Sequence, residues 1–419
     1  MPADMNQQTL QFIRDHAADD VRQLALRGCS QQGVDMPFAL NQIAGRRTAL
    51  RKLPLWAATD GIVYPPHLSM EQCSSQATAE YKSLVARRWV AAMHIKSGGT
   101  VMTDLTGGFG VDFSFMAPCF SRAVYVECQP HLCDMARTNF RLLGLDGAEV
   151  VCADSMAYLR EMPPAALVYL DPARRDGHGG RTYAISDCTP DILSLLPLLL
   201  QKGRVMMVKL SPMLDWRQVA LSLGGSVREI HLVSVGNECK ELLVVMTAEE
   251  PSGHVPQPLQ WGTLTLSGQA VDWVRIPVPG IEDPSVMSSL SSSPVCQSSS
   301  VRYLYEPNAS LMKAGCFRRL SAVYPVRQVA ANSHLFLSSE VIEGFPGRRF
   351  EILAQTSLNR KELKVALRGV VQANIAVRNF PMTVAQLRQR LKIGDGGDIY
   401  LFATTLATGE RSLYVCRKL

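Results

Sequence analysis

The chain has 419 residues, 47% hydrophobic and 19% charged, which is the balance of an ordinary folded protein and excludes a disordered or fibrous chain. Its formal charge of +6 is unevenly placed: residues 348–419 hold 13 Lys and Arg against 5 Asp and Glu, leaving 30 against 32 elsewhere. No apolar run approaches a membrane span, the 11 cysteines show no CxxC or Cys/His metal spacing, and the N-terminus lacks a basic-then-apolar pattern, so the expectation is a cytoplasmic protein with no membrane or metal partner.

Residues 1–95 read as helical, with a basic amphipathic segment from Asn41 to Leu53 ended by Pro54. The run from Leu68 to Lys82 is more polar than a packing helix needs, and Ser69 has the spacing of an N-cap with Gln72 three positions on. Gln72, Ser74, Ser75 and Thr78 either line a ligand site beside the first strand or mark a solvated helix start.

From Thr100 the pattern alternates. Strands are predicted near 101–105, 123–127, 148–152, 167–171 and 204–209, with helices near 111–119, 130–143, 155–161 and 189–201. Two further strands, Val227–Val235 and Glu241–Thr247, are separated by so short a turn that they must be antiparallel. The fold class is therefore α/β: a Rossmann-like parallel sheet with an antiparallel hairpin at one edge. Pro251–Pro258 reads as a linker and Leu259–Val278 alternates in strand fashion; nine serines in the sixteen residues 285–300 read as a flexible loop. Arg302 to Leu337 reads as strand, helix, strand. The basic tail reads as a small α+β module with a helix capped by Thr383 and two strands around Thr408-Gly409-Glu410. These divisions give a helical region 1–95, a central domain 96–250, a small α+β domain 255–344 and a basic domain 345–419.

The chemistry sits in the central domain. Asp104-x-x-Gly107-Gly108-x-Gly110 follows a strand and precedes a helix, so its glycines let backbone approach a ligand at the carboxyl edge of the sheet. A tight structural turn would have the same glycines. The more specific signal is a series of carboxylates at strand ends: Asp104, Glu127, Asp154 and Asp171. A nicotinamide dinucleotide needs a third glycine where this chain has Phe113, and no P-loop is present. An aspartate aimed at the turn suits a ligand that carries positive charge.

At this point the sequence resembles the class I S-adenosylmethionine-dependent methyltransferases. The resemblance implies that Asp104 sets the turn and meets the methionine moiety beside the backbone of Thr106, Gly108 and Gly110. Glu127 would accept the ribose hydroxyls, and Asp154, with Ser155 and Met156, would meet the adenine. Asp171-Pro172-Ala173-Arg174-Arg175 stands where nucleic-acid amino-methyltransferases carry Asn/Asp-Pro-Pro-aromatic. The Asp171 carboxylate and the following backbone would there orient a target amine for in-line transfer. Arg174 replaces the aromatic, and with Arg175 it either touches substrate or forms a surface ion pair. The segment Val208-Lys209-Leu210-Ser211-Pro212 lacks the cysteine of carbon-5 pyrimidine methyltransferases, which favours a nitrogen target; Lys209 is either structural or a substrate contact.

The Glu71–Lys82 segment, the Asp171–Arg175 motif and the Arg378-Asn379-Phe380-Pro381…Asp395-Gly396-Gly397 run together resemble a bacterial, Bacteroidetes-type group of methyltransferases with ferredoxin-like and C-terminal THUMP-like domains. That implies structured RNA, tRNA or rRNA, as the partner, with Arg388 and Arg390 at the interface. Two other readings stand beside it: a methyltransferase for protein, DNA or a small molecule, and a non-catalytic RNA-binding protein that kept the fold.

Overall fold

The computed structural model describes residues 6–28, 33–95, 100–174, 185–249, 259–278 and 301–419. The predicted linker 251–258 and the serine-rich loop 285–300 lie outside them.

The helical region holds α1 (Gln7–Asp15), α2 (Val21–Arg27), α3 (Met36–Lys52), α4 (Pro54–Ala58), α5 (His67–Gln72) and α6 (Gln76–Ala92). Asn6, Asp20 and Asp35 cap the first three, each accepting N–H groups that a helix start leaves unpaired. The polar run 68–82 is two helices rather than one. Ser69 lies inside α5, the chain turns extended at Cys73, and the cap is Ser75, whose Oγ accepts the Thr78 N–H at 3.2 Å.

The central domain follows as β1 (Val101–Asp104), α7 (Val111–Met116), β2 (Arg122–Glu127), α8 (Pro130–Leu142), β3 (Ala148–Cys152), α9 (Ser155–Glu161) and β4 (Ala165–Leu170). A small ladder, β5 (Ala173–Arg174) and β6 (Cys188–Thr189), leads to α10 (Ile192–Lys202), β7 (Gly203–Leu210), α11 (Trp216–Leu223), β8 (Val227–Val235) and β9 (Glu238–Met246). Strands β3, β2, β1, β4 and β7 are parallel neighbours in that order; β9 inserts antiparallel between β7 and β8. This is the parallel sheet with an edge hairpin read from the sequence. Register places Asp104 beside both Tyr125 and Tyr169, so the strand-end carboxylates gather at one edge.

The alternating run after the linker forms β10 (Gln260–Leu266) and β11 (Gln269–Pro277), and β11 pairs antiparallel with β8. Sequence grouped this hairpin with the residues after it; hydrogen bonding extends the central sheet to nine strands with it. A second sheet, of seven strands, comprises β12 (Tyr303–Pro307), β13 (Arg327–Gln328), β14 (Phe336–Ser338), β15 (Gly347–Thr356), β16 (Asn374–Arg378), β17 (Ile399–Thr405) and β18 (Arg411–Lys418). Strand β12 pairs with β15, so residues on both sides of position 345 share this sheet. Thr383 caps the helix Val384–Leu391 in a reciprocal box with Gln386.

Helices α6, α7 and α8 cover one face of the large sheet around Trp89, Phe113, Tyr125 and Phe140. The other face packs α10 and α11, and its core runs on into Tyr305, Leu311, Leu320, Phe336 and Phe345 of the second sheet and its helices. Helix α6 is also pinned by polar contacts. Arg88 and the Trp89 indole N–H both donate to the Glu229 carboxylate on β8, and the His231 ring bridges Glu229 at 3.1 Å and the Tyr81 hydroxyl at 2.8 Å.

Burial would raise the Glu229 carboxyl, but the His231 and Arg88 contacts outweigh it and hold the group below its ordinary 4.5. Its contribution to stability is therefore full above that value and lost as acid titrates it. Glu229→Gln is expected to cost about 1.5–3 kcal/mol at neutral pH and to flatten the loss of stability on acidification, measured by urea unfolding at neutral and acidic pH.

Candidate active site

The turn between β1 and α7 is shaped by what its glycines touch. A Cβ on Gly107 would sit 2.2 Å from the Tyr125 ring, and one on Gly110, at φ +86°, would sit 2.7 Å from Phe140. The loop is thus pressed against β2 and α8, where Phe113 stacks on Phe140 with ring centres 4.8 Å apart. Gly108 has φ +54°, and a Cβ there would meet only the Thr106 carbonyl oxygen, at 3.8 Å. It faces a pocket of about 500 Å³ lined by Asp104, Thr106, Gly108, Gly110, Glu127, Asp154, Ser155 and Met156, the whole set proposed from sequence for the cofactor.

Each carboxylate is held differently. Asp104 is buried and accepts the Thr106 N–H at 3.0 Å. Burial pushes its carboxyl well above the usual range; the Thr106 N–H opposes this, and the negative fields of Asp112, Asp171 and Glu127 add to it. Glu127 accepts the Gly108 N–H on one oxygen and the Gln129 N–H on the other, both at 2.9 Å, so it organises the loop from across the pocket. Asp154 caps α9 through Oδ1, accepting from Met156 and Ala157. The Thr106 hydroxyl accepts the Asp171 N–H at 2.6 Å, tying the glycine turn to the end of β4.

A second cleft, about 990 Å³, adjoins this pocket and shares Gln72, Cys73, Ser74, Asp171 and Ala173 with it. Pro172, Ser75, Thr78, Lys209, Arg51, Lys52 and Lys240 also line it. Asp171 therefore stands on the wall common to both spaces, ion-paired through Oδ2 with Lys209. Burial would lower the Lys209 ammonium, but Asp171, Asp112 and Glu241 outweigh it and keep the group charged. All four polar residues flagged in the run 72–78 reach the larger cleft, although Ser75 and Thr78 also spend hydrogen bonds on the start of α6.

Sequence reading missed the group beneath this wall. Lys82 of α6 is buried, 2.6 Å from a Glu241 oxygen and 3.2 Å from an Asp112 oxygen. Asp112 also accepts from the Ser74 hydroxyl at 2.9 Å and from the Tyr169 hydroxyl at 2.7 Å. Burial would raise Asp112, and the Lys82 and Lys209 cations bring it below the usual range; for Glu241 burial prevails and the carboxyl is raised. Ser74 and Lys82 both fall in the Glu71–Lys82 segment singled out in the sequence, but no spacing there pairs Lys82 with Glu241 or Asp112.

Arg174 ends β5, its backbone paired with Cys188, and Arg175 lies outside the described residues. Arg388 turns inward: it donates to the carbonyls of Ala373 and Gly394 and pairs with Asp395, fastening its own domain. Arg390 is exposed and keeps one contact, to the Leu358 carbonyl at 3.4 Å.

The smaller pocket fits a cationic nucleoside. Its described lining holds five carboxylates (Asp104, Asp112, Glu127, Asp154 and Asp171) and no Lys, Arg or His, which repels phosphate and favours an ammonium or sulfonium. The open face of Gly108 gives such a ligand backbone to lie against.

The comparisons agree with this geometry. Residues 347–418 match a THUMP domain-like family and 303–346 a ferredoxin-like domain. A crystal structure from Porphyromonas gingivalis W83, described as a methyltransferase, superposes with a TM-score of 0.78 at 31% identity, covering 99% of this chain and 98% of that one. Proteins of two Mycobacterium tuberculosis strains, CDC 1551 and H37Rv, named as S-adenosylmethionine-dependent methyltransferases, are 24% identical over 386 residues, 91% of this chain and 97% of theirs. The chain belongs to the S-adenosylmethionine-dependent methyltransferases that carry ferredoxin-like and THUMP-like domains after the catalytic sheet.

Proposed function

We propose that the protein methylates a base nitrogen of structured RNA, tRNA or rRNA, in the cytoplasm, by direct transfer without a covalent cysteine intermediate. The observation that carries this reading is the position of the Asp171 carboxylate on the wall shared by the acidic pocket and the larger cleft. S-adenosylmethionine, when bound in the acidic pocket, supplies an electrophilic methyl group.

Asp104 and the open Gly108 turn hold the charged end of that ligand, Glu127 its ribose, and Asp154 with Ser155 and Met156 its base. Asp171 and the backbone of Pro172 and Ala173 accept N–H bonds from the target amine and aim its lone pair along the line of transfer, mainly a positioning effect. The larger cleft, where Arg51, Lys52, Lys209 and Lys240 stand among Glu71, Asp187, Glu238 and Glu241, has room for a base extruded from its stack. RNA is favoured over other acceptors by the basic C-terminal domain, where Arg360, Lys361, Lys364, Arg368 and Arg390 are all exposed. In this reading Arg174 and Arg175 flank the entering nucleotide, and Arg388 serves the domain that presents Arg390.

Mass spectrometry of nucleosides from cells with and without the gene tests the reading directly. One methylated base nitrogen is expected to vanish with the gene, and unchanged RNA with retained cofactor binding sinks the proposal. Asp171→Ala is expected to lower turnover by roughly 10²-fold while cofactor affinity stays near wild type, checked by tritium transfer and calorimetry. Glu127→Ala should weaken cofactor binding by about 1–3 kcal/mol through lost charge-assisted hydrogen bonds.

Binding should also release a proton. Burial favours the protonated Asp104 carboxyl in the free protein and an arriving cation favours its ionised form, so affinity rises with pH across its raised titration range. The ligand-free fold behaves oppositely, losing stability as pH rises through that range. Calorimetry in buffers of different ionisation enthalpy reads the released proton, and Asp104→Asn should abolish the release.

A further inference from the structure

The buried charges beneath the shared wall are more than the fold requires. Side chains of Lys82, Asp112 and Glu241 are 0%, 9% and 2% exposed. Removing such ions from water is costly, and apolar side chains of similar size often stabilise a fold as well or better. The group nonetheless lies where the two ligand spaces meet: Asp112 and Tyr169 line the acidic pocket, Glu241 and Lys209 the larger cleft, and Ser74 both. Strand register connects it to the reacting edge. Lys209 of β7 faces Leu243 of β9, which places Glu241, two residues along, on the same face.

We propose that Lys209 and Glu241 are positioning residues for methyl transfer: Glu241, with Asp112, holds the Lys209 ammonium against Asp171 Oδ2, leaving Oδ1 toward the target nitrogen. The proposal rests on the role given to Asp171 above. Among the described residues Asp171 Oδ1 has no hydrogen-bond partner, whereas Oδ2 is taken by Lys209. A carboxylate fixed by one oxygen cannot rotate away from its ligand, which is the purpose a second anchor serves.

The charge balance points the same way. Lys82 and Lys209 face Asp112, Glu241 and Asp171, two cations against three anions, and Glu241 Oε1 is buried without a hydrogen-bond partner. In the transfer the nitrogen lone pair forms the new N–C bond and the C–S electron pair stays on sulfur. Positive charge moves to the nitrogen, which then gives one proton to Asp171. Asp171 and Glu241, which line the larger cleft, stand on the nitrogen side and favour that migration.

The test measures methyl transfer from tritiated S-adenosylmethionine to acid-precipitable material from a lysate of cells lacking the gene, with and without ribonuclease. Full-length Glu241→Gln, Lys209→Met, Lys209→Arg and Asp171→Ala are compared with wild type, and melting temperature and cofactor affinity are read for each. Glu241→Gln should lower kcat at least tenfold per folded molecule while cofactor affinity stays within about twofold. Lys209→Met should lose more, and Lys209→Arg should recover most of it.

Wild-type kcat in both Glu241→Gln and Lys209→Met, with Asp171→Ala impaired, overturns the positioning role alone. A kcat that falls only in proportion to lost folded protein overturns it as well. A wild-type rate in Asp171→Ala overturns the role of Asp171 and this inference with it. Counts that survive ribonuclease remove RNA as acceptor, while the Glu241 and Lys209 comparison is still read on the acceptor that remains. No transfer to any acceptor overturns both.

Discussion

The structure depends on how closely the loop after β1 is pressed against its neighbours. With Tyr125 and Phe140 where they are, Gly107 and Gly110 admit no side chain, and any residue larger than hydrogen would push the loop off β2 and α8. Because the loop cannot move, Gly108 presents bare backbone to the pocket, and Glu127 can reach across to its N–H. Thr106 fixes the end of β4 from the same turn. One packing constraint therefore sets the floor of the cofactor space and the position of Asp171 together.

Much of this fold is legible in the sequence because it is built from local signals. Alternation of period two and period 3.6 gave the central parallel strands and every helix between them but α11 (Trp216–Leu223) to within a few residues, and the short Gly236-Asn237-Glu238 turn required an antiparallel pair. Thr383 announced its helix as a cap. What sequence did not give is which strands pair at long range. The hairpin of β10 and β11 reads the same whether it joins the sheet before it or the one after, since its alternation reports only that one face is covered. The split of the run 68–82 was missed for a related reason: Ser69 and Ser75 both have capping chemistry, and only the extended backbone at Cys73 selects the second.

The candidate site divides along the same line. Carboxylates at strand ends are readable because an open parallel sheet binds ligands at that edge, so position along the strand already implies location. Lys82 and Glu241 are not readable, since their meaning comes from α6 lying over β9, a contact between residues far apart in the chain. Arg388 shows the converse case. A basic residue in a basic domain suggests a partner outside the molecule, and three of its donors go to Ala373, Gly394 and Asp395 within it. Composition measures how much charge is present, and only geometry says how much is free.

The shared core between the two sheets has a consequence for selectivity. The helix Ala309–Ala314 packs on β8, β9 and β11, its first N–H is held by Asn237, and Arg217 reaches its last carbonyl. The basic domain is thereby set at a fixed offset from the reacting edge instead of hanging from a tether. A tethered module would sample many separations and raise the local concentration of any acceptor it caught. Under the proposed function this one would act as a caliper: an acceptor seated at both ends must itself supply the matching span, so shape would be measured before chemistry begins.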